Sequence, residues 1–170
     1  HLFNPTFAVE TSLIEPLPHQ RIAVYEHMLP QPRLRFLLAD DAGAGKTIMT
    51  GLYIREMLTR HLMQRVLIVV PAGLVGNWKR ELETLFSLRF RILGSADTRK
   101  GNPFVGAEGD RLIVSVDSLA SGTLFAALRD AEHQPGFEPY DLVVFDEAHK
   151  LSAFERQDGA VEMTQRYKLA

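Results

Sequence analysis

Two clusters of residues carry chemistry by type and spacing. In LLADDAGAGKT, residues 37–47, Lys46 and Thr47 follow a glycine-rich turn that hands an apolar run to a helix. Backbone N–H groups in such a turn cradle phosphates, a lysine reaches the β/γ-phosphates, and a threonine hydroxyl is a hard oxygen ligand for Mg²⁺. In LVVFDEAHK, residues 142–150, an apolar run ends in Asp146 and Glu147. A carboxylate there binds a metal through water, and its neighbour orients and deprotonates an attacking water. The order of the two clusters, with Asp146 placed 100 residues after Lys46, points to nucleoside triphosphate binding.

Within the first cluster, Gly43 and Gly45 permit positive φ and close backbone approach. Ala42 and Ala44 complete the loop, and the helix that follows offers unpaired N–H groups and a positive dipole end. A strict G-x-x-x-x-G-K-[ST] pattern would place glycine at position 40, where this chain has Asp40, yet GAGKT is intact. Gln20, in PLPHQ, has an amide able to pair with N6 and N7 of adenine; its bland alternative is an exposed glutamine at a helix start. Trp78, in GNWKREL, is either a packed aromatic or a base-stacking one. Pro71-Ala72-Gly73, with Lys79 and Arg80 nearby, offers backbone and charge to a DNA phosphate. His149 has no second His or Cys at zinc-ligand spacing, which leaves coupling of the nucleotide site or a local hydrogen bond.

Positioning these groups requires alternating strands and helices. Residues 1–17 are marked by Pro5 and Pro16 and read as an extended lead-in. Pro18 opens a helix that runs to about Leu29, ended by Pro30-Gln31-Pro32. Apolar runs at 35–40, 66–70, 89–93, 112–116 and 142–145 read as strands, the last being the last clear one. Helices are expected over about 46–61, over 74–86, and from the strand at 112–116 to about 131, with a Gly/Asp-rich loop at 94–110. Continuous apolar strands separated by helices indicate a parallel sheet covered on both faces. Ligands bind such sheets at the carboxyl ends of the strands, where both clusters fall.

Composition sets the bounds. The chain has 170 residues, 46% of them hydrophobic and 24% charged, enough for one domain with a real core. Absence of cysteine excludes disulfides and thiolate metal sites and suits an intracellular protein. No apolar stretch approaches the roughly 20 residues of a membrane span, so no membrane partner is expected. No signal peptide is visible, and a start at His1 suggests a piece of something longer. The net charge of −2 gives no global basic field, although residues 60–111 carry nine Lys/Arg against five Asp/Glu. That local excess is either a solvated face or a nucleic-acid footprint.

Taken together, LPHQ, LLADDAGAGKT, VLIVVPAGLVGNWKREL, LIVSVDSLA, LVVFDEAHK and TQRYKLA resemble the N-terminal RecA-like domain of superfamily 2 DEAH-type ATPases, in particular the bacterial members of the Swi/Snf group. An acidic residue at position 40 is common in that group; Ala44 stands where leucine is more usual. The resemblance implies a three-layer α/β P-loop NTPase fold over residues 18–170, with a mainly parallel sheet. It also implies ATP-driven translocation on double-stranded DNA, with Gln20 on adenine, residues 42–47 and especially Lys46 and Thr47 on phosphates and Mg²⁺, and Asp146 and Glu147 on metal and water. The family continues past TQRYKLA into a strand with a Ser/Thr-Ala-Thr motif and into a second RecA-like domain, and both are expected as partners from the same polypeptide. In related ATPases that strand lies near the sheet centre, so little or no hydrolysis is expected of these 170 residues alone. The location implied is cytoplasmic, at the nucleoid in a bacterium. A non-catalytic module that holds nucleotide, DNA or a partner protein is the alternative, and a metabolite kinase is more distant because it gives no reason for the DEAH run.

Overall fold

The computed structural model describes residues 14–31, 45–120, 122–147, 153–155 and 161–163. The expected strand at 35–40, loop residues Ala42, Gly43 and Ala44, and His149 lie outside the described residues. The chain divides into two compact units: residues 1–63 with 78–89, and residues 64–77 with 90–170.

In the first unit, helix α1 (Pro18–Ile22) continues as a π-helical turn over Ala23–Met28. Pro18 sits in the first turn, where the missing N–H costs nothing. Gln20 Oε1 accepts the Leu17 N–H at 2.9 Å, so a side chain satisfies the donor just before the helix. Helix α2 (Lys46–Thr59) buries Met49 through Ile54 without interruption, and Glu56 as well. An interior helix of this kind shows no amphipathic stripe. Its buried Glu56 is satisfied by Arg60 Nε at 2.7 Å and by Tyr25 Oη at 3.1 Å, the second bond linking the π turn to α2. A close Arg60 Nη2–Glu56 ion pair completes the arrangement.

Helix α3 (Val75–Phe86) begins in the second unit and continues into the first. It buries Val75, Trp78, Leu82 and Phe86 and exposes Arg80, Glu83 and Thr84, as helical periodicity demands. Trp78 is thus a packed aromatic.

The second unit is built on a parallel sheet of β1 (Val66–Val70), β2 (Arg91–Leu93), β3 (Arg111–Ser115) and β4 (Leu142–Phe145), in the order β2-β3-β1-β4. This is the α/β, parallel-sheet architecture expected. All five residues of β1 are buried, since it is flanked on both sides. Leu67, Val69, Leu93, Leu112 and Val114 pack with Phe104, Leu119 and Leu124 into one apolar cluster.

Several boundaries differ from expectation. The strand at 89–93 shortens to 91–93, and the one at 112–116 begins at 111 and ends at 115. Val116 instead opens helix α4 (Val116–Ala120), followed by helix α5 (Thr123–Ala131), where one helix was expected. Gly122, at φ 95°, precedes α5 in a conformation that a continuous α-helix does not accommodate. The loop at 94–110 holds two 3₁₀ turns, Ser95–Lys100 and Ala107–Gly109. Beyond β4, β5 (Ala153–Glu155) and β6 (Val161–Met163) pair antiparallel, which sequence periodicity did not suggest.

A polar staple closes the amino ends of the strands. Arg65, 2% exposed, precedes β1 and pairs with Asp110 at 3.2 Å, donates to the Phe104 carbonyl at 2.6 Å, and lies 4.8 Å over the Tyr140 ring. Burial pushes the Tyr140 phenol up to about 12, against the opposing pull of Arg65, while its hydroxyl donates to the Gly109 carbonyl at 2.9 Å.

Candidate functional site

The first unit carries the phosphate-binding candidates. Gly45 caps α2 in a left-handed conformation, φ 85° and ψ 33°, which side-chain-bearing residues rarely adopt. The first intrahelical bond, from Met49 N to Gly45 O at 3.0 Å, starts the helix at Lys46. Lys46 and Thr47, both half-buried, therefore occupy a first turn whose N–H groups have no intrahelical acceptor by geometry. The N-cap residue, a glycine, makes no side-chain cap bond of its own. A 14-residue helix presents the positive end of its dipole there, the chemistry an anion requires.

Gln20 is 3% exposed, which overturns the reading of an exposed helix-start glutamine. Its amide lies against the glycine turn: a Cβ built on Gly45 would fall 2.2 Å from Gln20 Nε2. Of the expected site residues in this unit, Gln20 and Gly45 are thus brought together from positions 25 apart in sequence. Gln20 Oε1 accepts the Leu17 N–H. By type, a glutamine amide carries the acceptor–donor pattern that matches adenine N6 and N7.

The carboxylate candidates are in the second unit. Because the four strands are parallel, the segments that follow β1, β3 and β4 emerge at one edge of the sheet. After β1 comes Pro71 and a 3₁₀ turn over Ala72–Leu74, with Ala72 and Gly73 exposed; this turn lies against α4. After β3, the buried Ser115 hydroxyl bonds that of Ser118 at 2.8 Å and starts α4. Asp146 and Glu147 follow β4, both half-buried. Asp146 N donates to Val69 O at 3.0 Å, extending the β1–β4 ladder by one residue. Asp146 Oδ1 accepts the Glu147 N–H at 2.9 Å, and Glu147 turns out of the strand at φ 56°.

A Thr hydroxyl and an Asp carboxylate are hard oxygen donors, the type Mg²⁺ takes while keeping most of its waters. Among the described residues no group of three or more His, Cys, Asp or Glu side chains is placed to hold a metal ion. Thr47 lies in the first unit and Asp146 in the second, each an oxygen donor of that type by its own chemistry. No helix among the described residues is long and apolar enough to cross a membrane.

Two residues not singled out from sequence emerge here: Asp141 and Arg65, each directly preceding an apolar strand. The available signal was a charged residue abutting a wholly apolar run, where it must find partners at the strand end.

Comparison with known proteins gives a consistent result. A family model described as SNF2-related domain matches residues 22–168. The chain is 34% identical over 155 residues to an uncharacterized ATP-dependent helicase, YqhH, of Bacillus subtilis, covering 88% of this chain and 23% of that protein. It is 36% identical over 143 residues to the RNA polymerase-associated protein RapA of Serratia proteamaculans, covering 80% of this chain and 14% of that protein. It spans less than a quarter of the length of either relative. Among solved structures, the Sulfolobus solfataricus SWI2/SNF2 ATPase core in complex with dsDNA matches at 23% identity and a TM-score of 0.48, over 66% of this chain and 21% of that one.

Proposed function

The chain belongs to the SNF2-related domain family, and from that premise we propose that it is the ATP-binding lobe of a DNA-dependent ATPase that moves along double-stranded DNA. The observation that carries this reading is the left-handed Gly45 cap, with Lys46 and Thr47 in the first turn of α2 and the buried Gln20 amide against it. In this reading Gln20 selects adenine, residues 42–47 wrap the phosphates, and Lys46 neutralises charge on the β/γ-phosphates. Thr47 and Asp146 hold Mg²⁺, Asp146 through water. Glu147 orients the attacking water and takes its proton. The bound ion would supply charge neutralisation on the transferring phosphoryl group.

Family membership and relatives named as helicase and polymerase-associated proteins support action within a longer polypeptide. A second RecA-like domain of that polypeptide and double-stranded DNA are the proposed partners. The 170 residues alone are expected to turn over little or no ATP, and the proposed location is cytoplasmic, at the nucleoid in a bacterium.

The test is calorimetric titration with ATP, with and without Mg²⁺, comparing wild type and Lys46→Ala. Micromolar, Mg²⁺-sensitive binding lost in the variant supports a preformed nucleotide site. Binding that ignores both Mg²⁺ and Lys46 contradicts the assignment and favours a non-catalytic module.

A further inference from the structure

Resting on the reading above that Asp146 serves the nucleotide's metal, we propose that Asp141 is a positioning residue: its carboxylate latches the register of β4 against β1 and thereby sets where Asp146 and Glu147 emerge.

The need for a latch follows from composition. β1 is Val-Leu-Ile-Val-Val and β4 is Leu-Val-Val-Phe, apolar at every position. Strands with an inside–outside alternation declare their register, because a one-residue slip turns apolar side chains to solvent. Two wholly apolar strands carry no such signal, and a slide of one or two residues exchanges one apolar contact for another. A parallel pair also has no tight turn to fix its alignment. Each residue of slip moves the strand end by about 3.3 Å, so a two-residue slip carries Asp146 about 6.6 Å along the strand axis.

The structure fixes alignment at the amino end. Asp141 Oδ2 accepts the N–H groups of both Gln64 and Arg65, each at 2.8 Å. In return the Arg65 carbonyl accepts Asp141 N at 2.9 Å and Leu142 N at 3.3 Å. Main chain and side chain of one residue thus engage the two residues that lead into β1. The observed register follows, Val66 opposite Leu142 through Val69 opposite Phe145, and the ladder ends on the bond from Asp146 N to Val69 O. On the other side of β1, Asp110 plays the matching part for β3: its carbonyl accepts Val66 N at 2.7 Å and its carboxylate accepts Gln64 Nε2 at 3.1 Å and pairs with Arg65. An aspartate directly precedes each of the two strands that flank β1. Asp141 is exposed, so it has no packing role to confound its bonds.

The experiment compares wild type, Asp141→Ala, Asp141→Asn and Asp146→Asn in the full-length polypeptide that carries this chain. Hydrogen exchange reports the 142–147 amides and steady-state kinetics report ATP turnover. In Asp141→Ala, exchange over 142–147 is expected to accelerate at least about tenfold while β2 and β3 stay protected. Turnover is expected to fall at least about tenfold, with KM for ATP within about twofold, because phosphate binding rests on α2 and not on β4. Asp141→Asn retains an acceptor oxygen and is expected to restore both readouts. Unchanged protection in Asp141→Ala overturns the latch. Lost protection with wild-type turnover, where Asp146→Asn stops turnover, overturns the positioning role. Should Asp141→Ala lose protection across all strands, Asp141→Ser keeps one acceptor and is expected to show the local effect; uniform loss there too overturns the proposal. A wild type without ATP turnover would instead refute the proposed function, and the exchange data would still decide the latch.

Discussion

Replacing Gly45 by alanine tests how closely the glycine turn and Gln20 are built around each other. The backbone at Gly45, φ 85°, is left-handed and costs an L-residue about 1–2 kcal/mol. Reduced unfolded-chain entropy returns about 0.5 kcal/mol of that. The new Cβ would also lie 2.2 Å from Gln20 Nε2 and 3.3 Å from its Cδ. A solvent-exposed side chain would swing aside at little cost, but Gln20 is 3% exposed and its Oε1 holds the Leu17 N–H at 2.9 Å. Displacing it forfeits that bond and leaves a buried amide poorly paired, about 1–2 kcal/mol. The net expected loss is about 2–3 kcal/mol. In a Gln20→Ala background the steric part vanishes and the same substitution should cost only about 1 kcal/mol. Urea denaturation of wild type, both single variants and the double variant gives the coupling directly. A coupling energy within the roughly 0.5 kcal/mol scatter of independent sites would refute the juxtaposition of Gln20 and Gly45.

Further outcomes are expected elsewhere. Gly51→Ala in the interior of α2 should gain about 1 kcal/mol by helix propensity, yet its Cβ would meet the buried Phe86 ring at 2.5 Å. Overpacking of about 1–3 kcal/mol makes the variant net destabilised in thermal unfolding, and a raised Tm would contradict the packing. Arg65→Met strips donors from Asp110 and the Phe104 carbonyl and should lower stability by about 3 kcal/mol in urea titration, whereas a change below about 1 kcal/mol would show the staple to be dispensable. Tyr140 is held protonated to about 12 in the folded chain against 10.0 unfolded. Between those values the native state binds more protons, so stability is intact below pH 10 and falls as pH rises from 10 to 12, by up to about 2–3 kcal/mol. Tyr140→Phe should flatten that slope in equilibrium unfolding, and an equal slope in both proteins would assign the loss to other groups.

Much of the molecule was legible from local pattern, because its signals act over a few residues. The apolar runs at 66–70 and 142–145, the helix expected over 74–86, and the helix start at Lys46 each declare themselves within one turn or one strand. Side-chain type likewise sets what Lys46, Thr47, Asp146 and Glu147 can bind, and the roles proposed for them rest on it. Helix ends were less so: where β3 yields to α4 depends on Ser115 bonding Ser118, and β5 with β6 on a pairing that neither strand signals alone.

What only the tertiary structure decided are the meetings of residues far apart in the chain. Gln20 buried on Gly45, Gly51 under Phe86, and Arg65 between Asp110 and Tyr140 leave no trace in any local window. The order β2-β3-β1-β4 and its register are of the same kind. β1 and β4, apolar at every position, pair acceptably in many alignments, so the sequence determined which segments are strands, while polar groups at their ends, Asp141 and Asp110 above all, decided which alignment is native.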